Sequence, residues 1–349
     1  MDKIKMKLGF RKSVSRLTYF LVFSFMYVFT GQFNIVSGQA PAPLFEDPVY
    51  HAVRDPTVVY NYGTGEWWMF YTQGRPANPL YDLNIPWSWL WNCDIGIAKT
   101  ANGGASWTYV GTVQGLNASL DTSLNTHWAP EIIYDNGTYH MFVFLMASTH
   151  AKGAGNRHYT STDLKNWTLV TSGNMPSGYD PCLAKLPDGT WRMWTTENTN
   201  TYAWDSSGLN NWTSQGQQTT VNYGGEGSNV FVWNGYYWLI LDTLMSGHPG
   251  FTIWRSSDGS NNWINTGTIM GKGGLRPHDT NTAAHGDVVV SGSNAYIFYF
   301  NTDDRDTNGR QSVAQVARLI FKNRAISCNR NATFELNLGS PAPNQKGAL

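Results

Sequence analysis

Charge is scarce in this chain. Asp, Glu, Lys and Arg make up 14% of 349 residues, and the two signs cancel. A nucleic-acid partner normally calls for a basic surface, so that class is set aside. Cysteine is scarcer still. Cys93, Cys182 and Cys328 have no metal-ligand spacing, and their odd number allows at most one disulfide, whose pair stays open. Cys182 falls in a strand expected to be innermost, so a buried thiol is its expected state. Long apolar runs are confined to the beginning. Lys3, Lys5, Lys7, Arg11, Lys12 and Arg16 precede the run from Leu17 to Thr30, and small residues follow at Ser37, Gly38 and Ala40. These are the three parts of a secretory leader, and the apolar run is shorter than the ~20 residues a spanning helix needs. We therefore expect residues 1–40 to be a leader, the product to be secreted or periplasmic, and the mature chain to lack a membrane span. A sustained helical period is missing too.

Aromatic residues are plentiful, at 14%, and one unit recurs. Arg54-Asp55-Pro56-Thr57-Val58-Val59-Tyr60 leads through Gly63-Thr64-Gly65 to Trp67-Trp68-Met69-Phe70-Tyr71. This reads as a strand opening on a carboxylate, a Gly-rich turn and an aromatic strand. Four versions follow, opening at Trp128-Ala129-Pro130-Glu131, Asp180-Pro181, Glu226-Gly227 and His285-Gly286-Asp287. A second motif closes the units, a polar turn ending in Trp107, Trp167, Trp212 or Trp263.

Repeats roughly 45–75 residues apart, each holding about four short strands, predict a five-bladed β-propeller over residues 41–349. A Greek-key sandwich is the rival all-β architecture, but it gives no reason for a repeated hairpin headed by ionisable residues. The lead-in before residue 53 is expected to supply the last strand of blade five. Asn117, Asn136, Asn166, Asn211 and Asn331 begin glycosylation sequons, which Asn-rich turns also produce by chance.

Counting back from each hairpin turn places Asp55, Asp180, Glu226 and His285 at equivalent positions, with Glu131 and Asp287 two residues further along. In a propeller such residues face one central funnel. Crowded carboxylates repel unless one is protonated or a cation is bound. Acid–base catalysis uses that tension, holding one carboxyl neutral and another ionised. The bland reading of Asp55 and Asp180 is turn capping beside Pro. Glu226 between glycines has no such role. Trp87, Trp89 and Trp91 sit in an insertion and are candidates for stacking on sugar rings.

In order and spacing, Arg54-Asp55-Pro56, Trp128-Ala129-Pro130-Glu131, Tyr179-Asp180-Pro181, Glu226-Gly227 and Ala284-His285-Gly286 resemble the motifs of glycoside hydrolase family 43. The likeness extends to related propeller families such as 62 and 117. It implies an inverting glycosidase with Asp55 as base, Glu226 as acid and Asp180 tuning the acid. It also implies an axial cation site, Ca²⁺ for instance, near His285, and substrate contacts are expected at Glu131, Trp128, His285, Trp87 and Trp89. No cofactor is required by the chemistry. This chain has Glu131 where Asp is frequent and Ser228 where Pro is common, which blurs the subfamily.

The expectation is thus a monomeric, exported hydrolase of plant or algal poly- or oligosaccharides. Arabinofuranosides and arabinans stand first, with xylosides, galactans and anhydrogalactose-containing sugars behind. Inversion requires carboxyls about 6.5–9.5 Å apart, which residues on different inner strands can span. A phosphorolytic relative would need a basic phosphate cluster, which these motifs lack. A carbohydrate-binding propeller without catalysis is the alternative from another class. It has no need of base, acid and tuner together.

Overall fold

Five meanders of four antiparallel strands make up nearly all the regular structure. The computed structural model describes residues 38–75, 93–116, 126–146, 154–218, 224–243, 249–306 and 309–341. Most of the leader and the insertion carrying Trp87, Trp89 and Trp91 lie outside those residues.

The lead-in contains β1 (Gly38–Gln39). Blade one is β2 (Val53–Asn61), β3 (Glu66–Gln73), β4 (Asp94–Thr100) and β5 (Thr108–Thr112). Blade two is β6 (Thr126–Asp135), β7 (Thr138–Met146), β8 (Gly155–Ser161) and β9 (Thr168–Leu169). Blade three is β10 (Tyr179–Lys185), β11 (Trp191–Glu197), β12 (Asn200–Ser206) and β13 (Thr213–Gln217). Blade four is β14 (Glu226–Trp233), β15 (Tyr236–Asp242), β16 (Phe251–Ser256) and β17 (Ile264–Ile269). Blade five is β18 (Ala284–Ser291), β19 (Asn294–Thr302), β20 (Ser312–Lys322) and β21 (Ala325–Cys328), and β22 (Glu335–Leu336) follows. The inner strands β2, β6, β10, β14 and β18 each contact the next, and β18 contacts β2, which closes the ring. The five-bladed propeller is therefore the observed fold. Among the described residues there is no helix, hence none long and apolar enough to cross a membrane.

The hairpins form where the sequence permits left-handed backbone. Asn136–Gly137 and Asn234–Gly235 both have positive φ at the two central positions, as a twisted two-residue turn requires. The recurring Trp at the outer turn has a packing reason. Trp107, Trp167, Trp212 and Trp263 stand edge-on to Phe298, Phe70, Phe142 and Trp194, with centroids 5.9 to 6.4 Å apart. In each case the Trp of one blade meets the second strand of the preceding blade, so the repeat cements neighbours together. Blade five, which lacks the Trp, places Ile326 against blade four in the same cluster as Trp238.

Two boundary expectations change. Gly38 and Gln39 pair with Leu336 and Glu335, and the Ala40 amide donates to the Phe334 carbonyl at 2.9 Å. Residues 38–40, assigned to the leader above, thus belong to the fold. The last strand of blade five is β21 from the blade's own sequence, paired over Leu319 to Lys322. The lead-in instead bridges the other end of β20. The Leu44 amide donates to Ala314, and the Ala314 amide donates back to Phe45. No disulfide forms among the three cysteines, and Cys182 is buried as expected.

Below the funnel mouth a ring of side chains ties the inner strands together. Asp287 accepts from the Val58 amide at 2.7 Å and from the Asn229 side chain at 2.8 Å. Asn229 accepts from the Val288 amide, the Cys182 sulfur from the Val230 amide and Glu131 from the Leu183 amide. Thr57 donates to Glu131 and completes the circle. Asp287→Ala would leave a buried amide and a buried carboxamide without this acceptor. It is expected to cost roughly 2–4 kcal/mol, read as a lower urea midpoint at unchanged slope.

Candidate active site

The ladder slips once in every inner strand. Register jumps lie between Arg54 and Thr57, Trp128 and Glu131, Tyr179 and Cys182, Glu226 and Asn229, and Ala284 and Asp287. The first residue inside each jump is left-handed: Asp55 (φ 47°), Ala129 (49°), Asp180 (52°), Gly227 (59°) and His285 (38°). Asp and His tolerate that region better than most residues. Pro56, Pro130 and Pro181 follow within the bulges, where the extra residue has no ladder partner and a missing N–H loses no bond. The Asp-Pro pairs are thus bulge residues, and their carboxylates are free to face the axis.

Asp55, Asp180 and His285 do hold equivalent positions. Glu226 does not. Gly227 takes the left-handed place, and Glu226 stands one residue earlier, level with Arg54, Trp128, Tyr179 and Ala284. Counting back from the turns erred because the turns differ in length. Asn61 pairs with Glu66 in blade one, but Trp233 pairs with Tyr236 in blade four.

His285 is the centre of the cluster. Its Nδ1 lies 3.3 Å from Asp55 Oδ1 and 3.8 Å from Asp180 Oδ2, and all three side chains keep 12–19% exposure. Asp55 Oδ2 accepts from the Thr72 hydroxyl at 2.8 Å, while Thr72 in turn accepts from the Ala129 amide. Asp180 Oδ2 accepts from the Gly227 amide at 3.0 Å. Gly227 is required there twice over: its φ is positive, and a Cβ would sit 3.0 Å from His285 Cγ.

Electrostatics separate the carboxyls. Burial pushes the Glu226 carboxyl up to about 8, with Asp180 and Asp242 adding repulsion. Burial also raises Asp180 to about 6, against the pull of His285. For His285 burial works downward, but Asp55, Asp180, Asp242 and Glu226 outweigh it and hold the imidazole above its ordinary value. The carboxylates thus favour the charged form of His285, and Glu226 is the carboxyl most readily kept neutral.

Asp242 escaped the sequence reading. It is buried, lies across the ladder from Glu226 and accepts from the His285 amide at 3.1 Å. Thr72 holds the matching place across from Arg54. The last residues of the second strands carried the missing signal, since they border the funnel as the openings of the first strands do.

Trp128 lies in the funnel wall, its ring 6.3 Å from Phe144, which is 6.2 Å from Tyr179. Glu131 is not in that wall. It is 4% exposed and belongs to the ring of structural bonds, so a substrate contact there is corrected to a fold role. Trp87 and Trp89 lie outside the described residues.

The axial residues also make a poor cage for Ca²⁺. That ion takes 6–8 oxygens. The side chains below His285 already accept backbone amides, and Asp55 and Asp180 face the imidazole. The cation-forming group that faces these carboxylates is His285, whose charged form they favour. Among the described residues, three potential metal ligands converge at His278, Asp303 and Asp304 on the rim of blade five. Arg305 already pairs with Asp303 there.

No protein-family model and no curated protein matches the sequence. Solved structures do match the fold. A family 43 β-xylosidase/α-arabinofuranosidase from a compost microbial metagenome, with xylotriose in a calcium-free form, aligns with TM-score 0.64 and 14% identity, over 84% of this chain and 99% of that one. A family 43 enzyme from Xanthomonas citri complexed with xylotriose gives TM-score 0.62 at 12% identity, over 84% and 93%. A family 43 β-1,3-galactosidase with galactodeoxynojirimycin gives TM-score 0.59 at 10% identity, over 81% and 95%.

Proposed function

We propose that this chain, built on the five-bladed fold it shares with family 43 glycosidases, is an exported inverting glycoside hydrolase. One observation carries the reading: Asp55 and Asp180 come from two inner strands to one imidazole, and Glu226 on a third is pushed up to about 8 by burial and then by the Asp180 charge. Asp55, hydrogen-bonded by Thr72 and part exposed, takes a proton from a water whose oxygen attacks the anomeric carbon. The glycosidic C–O bond breaks as Glu226 gives its proton to the departing oxygen. Asp180 keeps that proton in place by repulsion, and solvent then resets both carboxyls.

Pentosides are the substrate class to test first, α-L-arabinofuranosides and then β-xylosides, with galactans next. The half-buried Trp128 and Phe144 supply apolar faces for a sugar ring. We read the chain as a monomeric catalytic domain behind a cleaved leader. A purely sugar-binding propeller would gain nothing from a carboxyl held neutral beside an ionised one.

Proton NMR of hydrolysis, begun on a panel of nitrophenyl glycosides and arabino- and xylo-oligosaccharides, tests the mechanism. The first-formed sugar is expected as the inverted anomer. A retained anomer would require a nucleophile where Asp55 stands and would end this reading.

A further inference from the structure

Near the end of β3, Thr72 stands across the ladder from Arg54. The matching places in the other blades are held by Phe144, Thr196, Asp242 and Phe300. The fold does not demand a hydrogen bond at this level. The two phenylalanines have no polar atom to offer, and the buried Thr196 hydroxyl has no partner among the described residues. Thr72 is different. It is 1% exposed, and its hydroxyl makes two bonds of 2.8 Å, from the Ala129 amide and to Asp55 Oδ2. An amide N–H can only donate, so the Thr72 oxygen accepts on that side. A hydroxyl has a single hydrogen, and here it goes to the carboxylate.

We infer that Thr72 is a positioning residue for the general base, fixing the plane of the Asp55 carboxylate. This rests on the reaction proposed above. His285 Nδ1 stands 3.3 Å from Oδ1 while the Thr72 hydroxyl holds Oδ2, so both oxygens are addressed, from two different blades. Each oxygen keeps a second lone pair. The Asp55 side chain is 19% exposed, so a water in the funnel can still reach it. A donor whose direction is forced favours an ionised carboxylate, the form in which a base must start. The amide that forces it belongs to the residue after Trp128, so the bond that sets the base is anchored in the funnel wall offered to the sugar.

Thr72→Val keeps the shape and removes both bonds, whereas Thr72→Ser keeps the hydroxyl. In Thr72→Val, kcat should fall about 10–100-fold, the size expected for a hydrogen bond to a charged group. The loss should be alike for poor and activated leaving groups, since both need the attacking water. The acid limb of the pH profile should move up, because the lost bond favoured an ionised carboxylate. Thr72→Ser should restore both rate and limb. A merely structural threonine would lower the melting temperature of Thr72→Val and leave the limb in place. That outcome overturns the inference, as does a Thr72→Val chain that does not fold or a Thr72→Ser chain that restores nothing. Crystal structures of the two variants make a test without substrate. The Asp55 carboxylate should turn from its place in Thr72→Val and keep it in Thr72→Ser. A carboxylate unmoved in Thr72→Val sinks the positioning role. An inactive wild type with a displaced carboxylate in Thr72→Val sinks only the proposed reaction.

Discussion

Asp55→Asn is expected to stop turnover, by about 10²–10⁴-fold or more, while leaving the propeller folded. A carboxamide cannot take the proton from the attacking water. The backbone should tolerate the change, since Asn suits the left-handed φ of 47° as Asp does. Its carbonyl can still accept from Thr72 at the place where Asp55 Oδ2 does now. His285 loses the charge of its nearest carboxylate, so the pKa that Asp55 helps to raise should fall back toward the ordinary imidazole value. Steady-state kinetics on the best substrate and a thermal melt decide the matter. Full activity in the variant would remove Asp55 as base. A collapsed melt would instead mark it as a structural bulge residue.

Glu226→Gln should be almost as damaging, but selectively. Poor leaving groups need the proton, so their hydrolysis should fall by about 10²–10⁴-fold. Nitrophenyl glycosides, whose departing oxygen is stable as an anion, should retain much of their rate. In the wild type, activity should decline as pH rises through about 8, where Glu226 loses its proton. Asp180→Asn should move that limb down only in part, because burial rather than Asp180 is the largest cause of the raised pKa. Stability should fall with rising pH as well. A carboxyl raised in the folded state stabilises the fold below its unfolded pKa, and that contribution is lost as pH rises toward about 8. The melting temperature of Glu226→Gln should therefore exceed the wild type's most clearly above pH 8. Equal losses on both classes of leaving group would remove Glu226 as acid.

The helpful signals in the chain were all periodic. Hairpins headed by Asp55, Asp180, Glu226 and His285 implied blades, and a Trp at each outer turn implied a repeated packing need, later met by Phe70, Phe142, Trp194 and Phe298. One failure was a slip of a single residue. Glu226 and Gly227 exchanged places because the hairpin turns differ in length, and only paired registers reveal where each turn begins. Glu131 was another failure. Two residues beyond the left-handed position, a side chain turns from the funnel mouth to the neighbouring strand, where it accepts the Leu183 amide.

The sequence alone determined the all-β class and the number of blades, because those follow from repeats written into the chain, and it offered the hairpin-heading carboxyls as candidates. The tertiary structure decided what those carboxyls are. It brought His285 within 3.8 Å of both Asp55 and Asp180 and placed buried Asp242 across the ladder from Glu226. Each of these partners comes from a different strand or blade. A pKa depends on burial and on charges a few ångströms away, and no spacing along the chain records either.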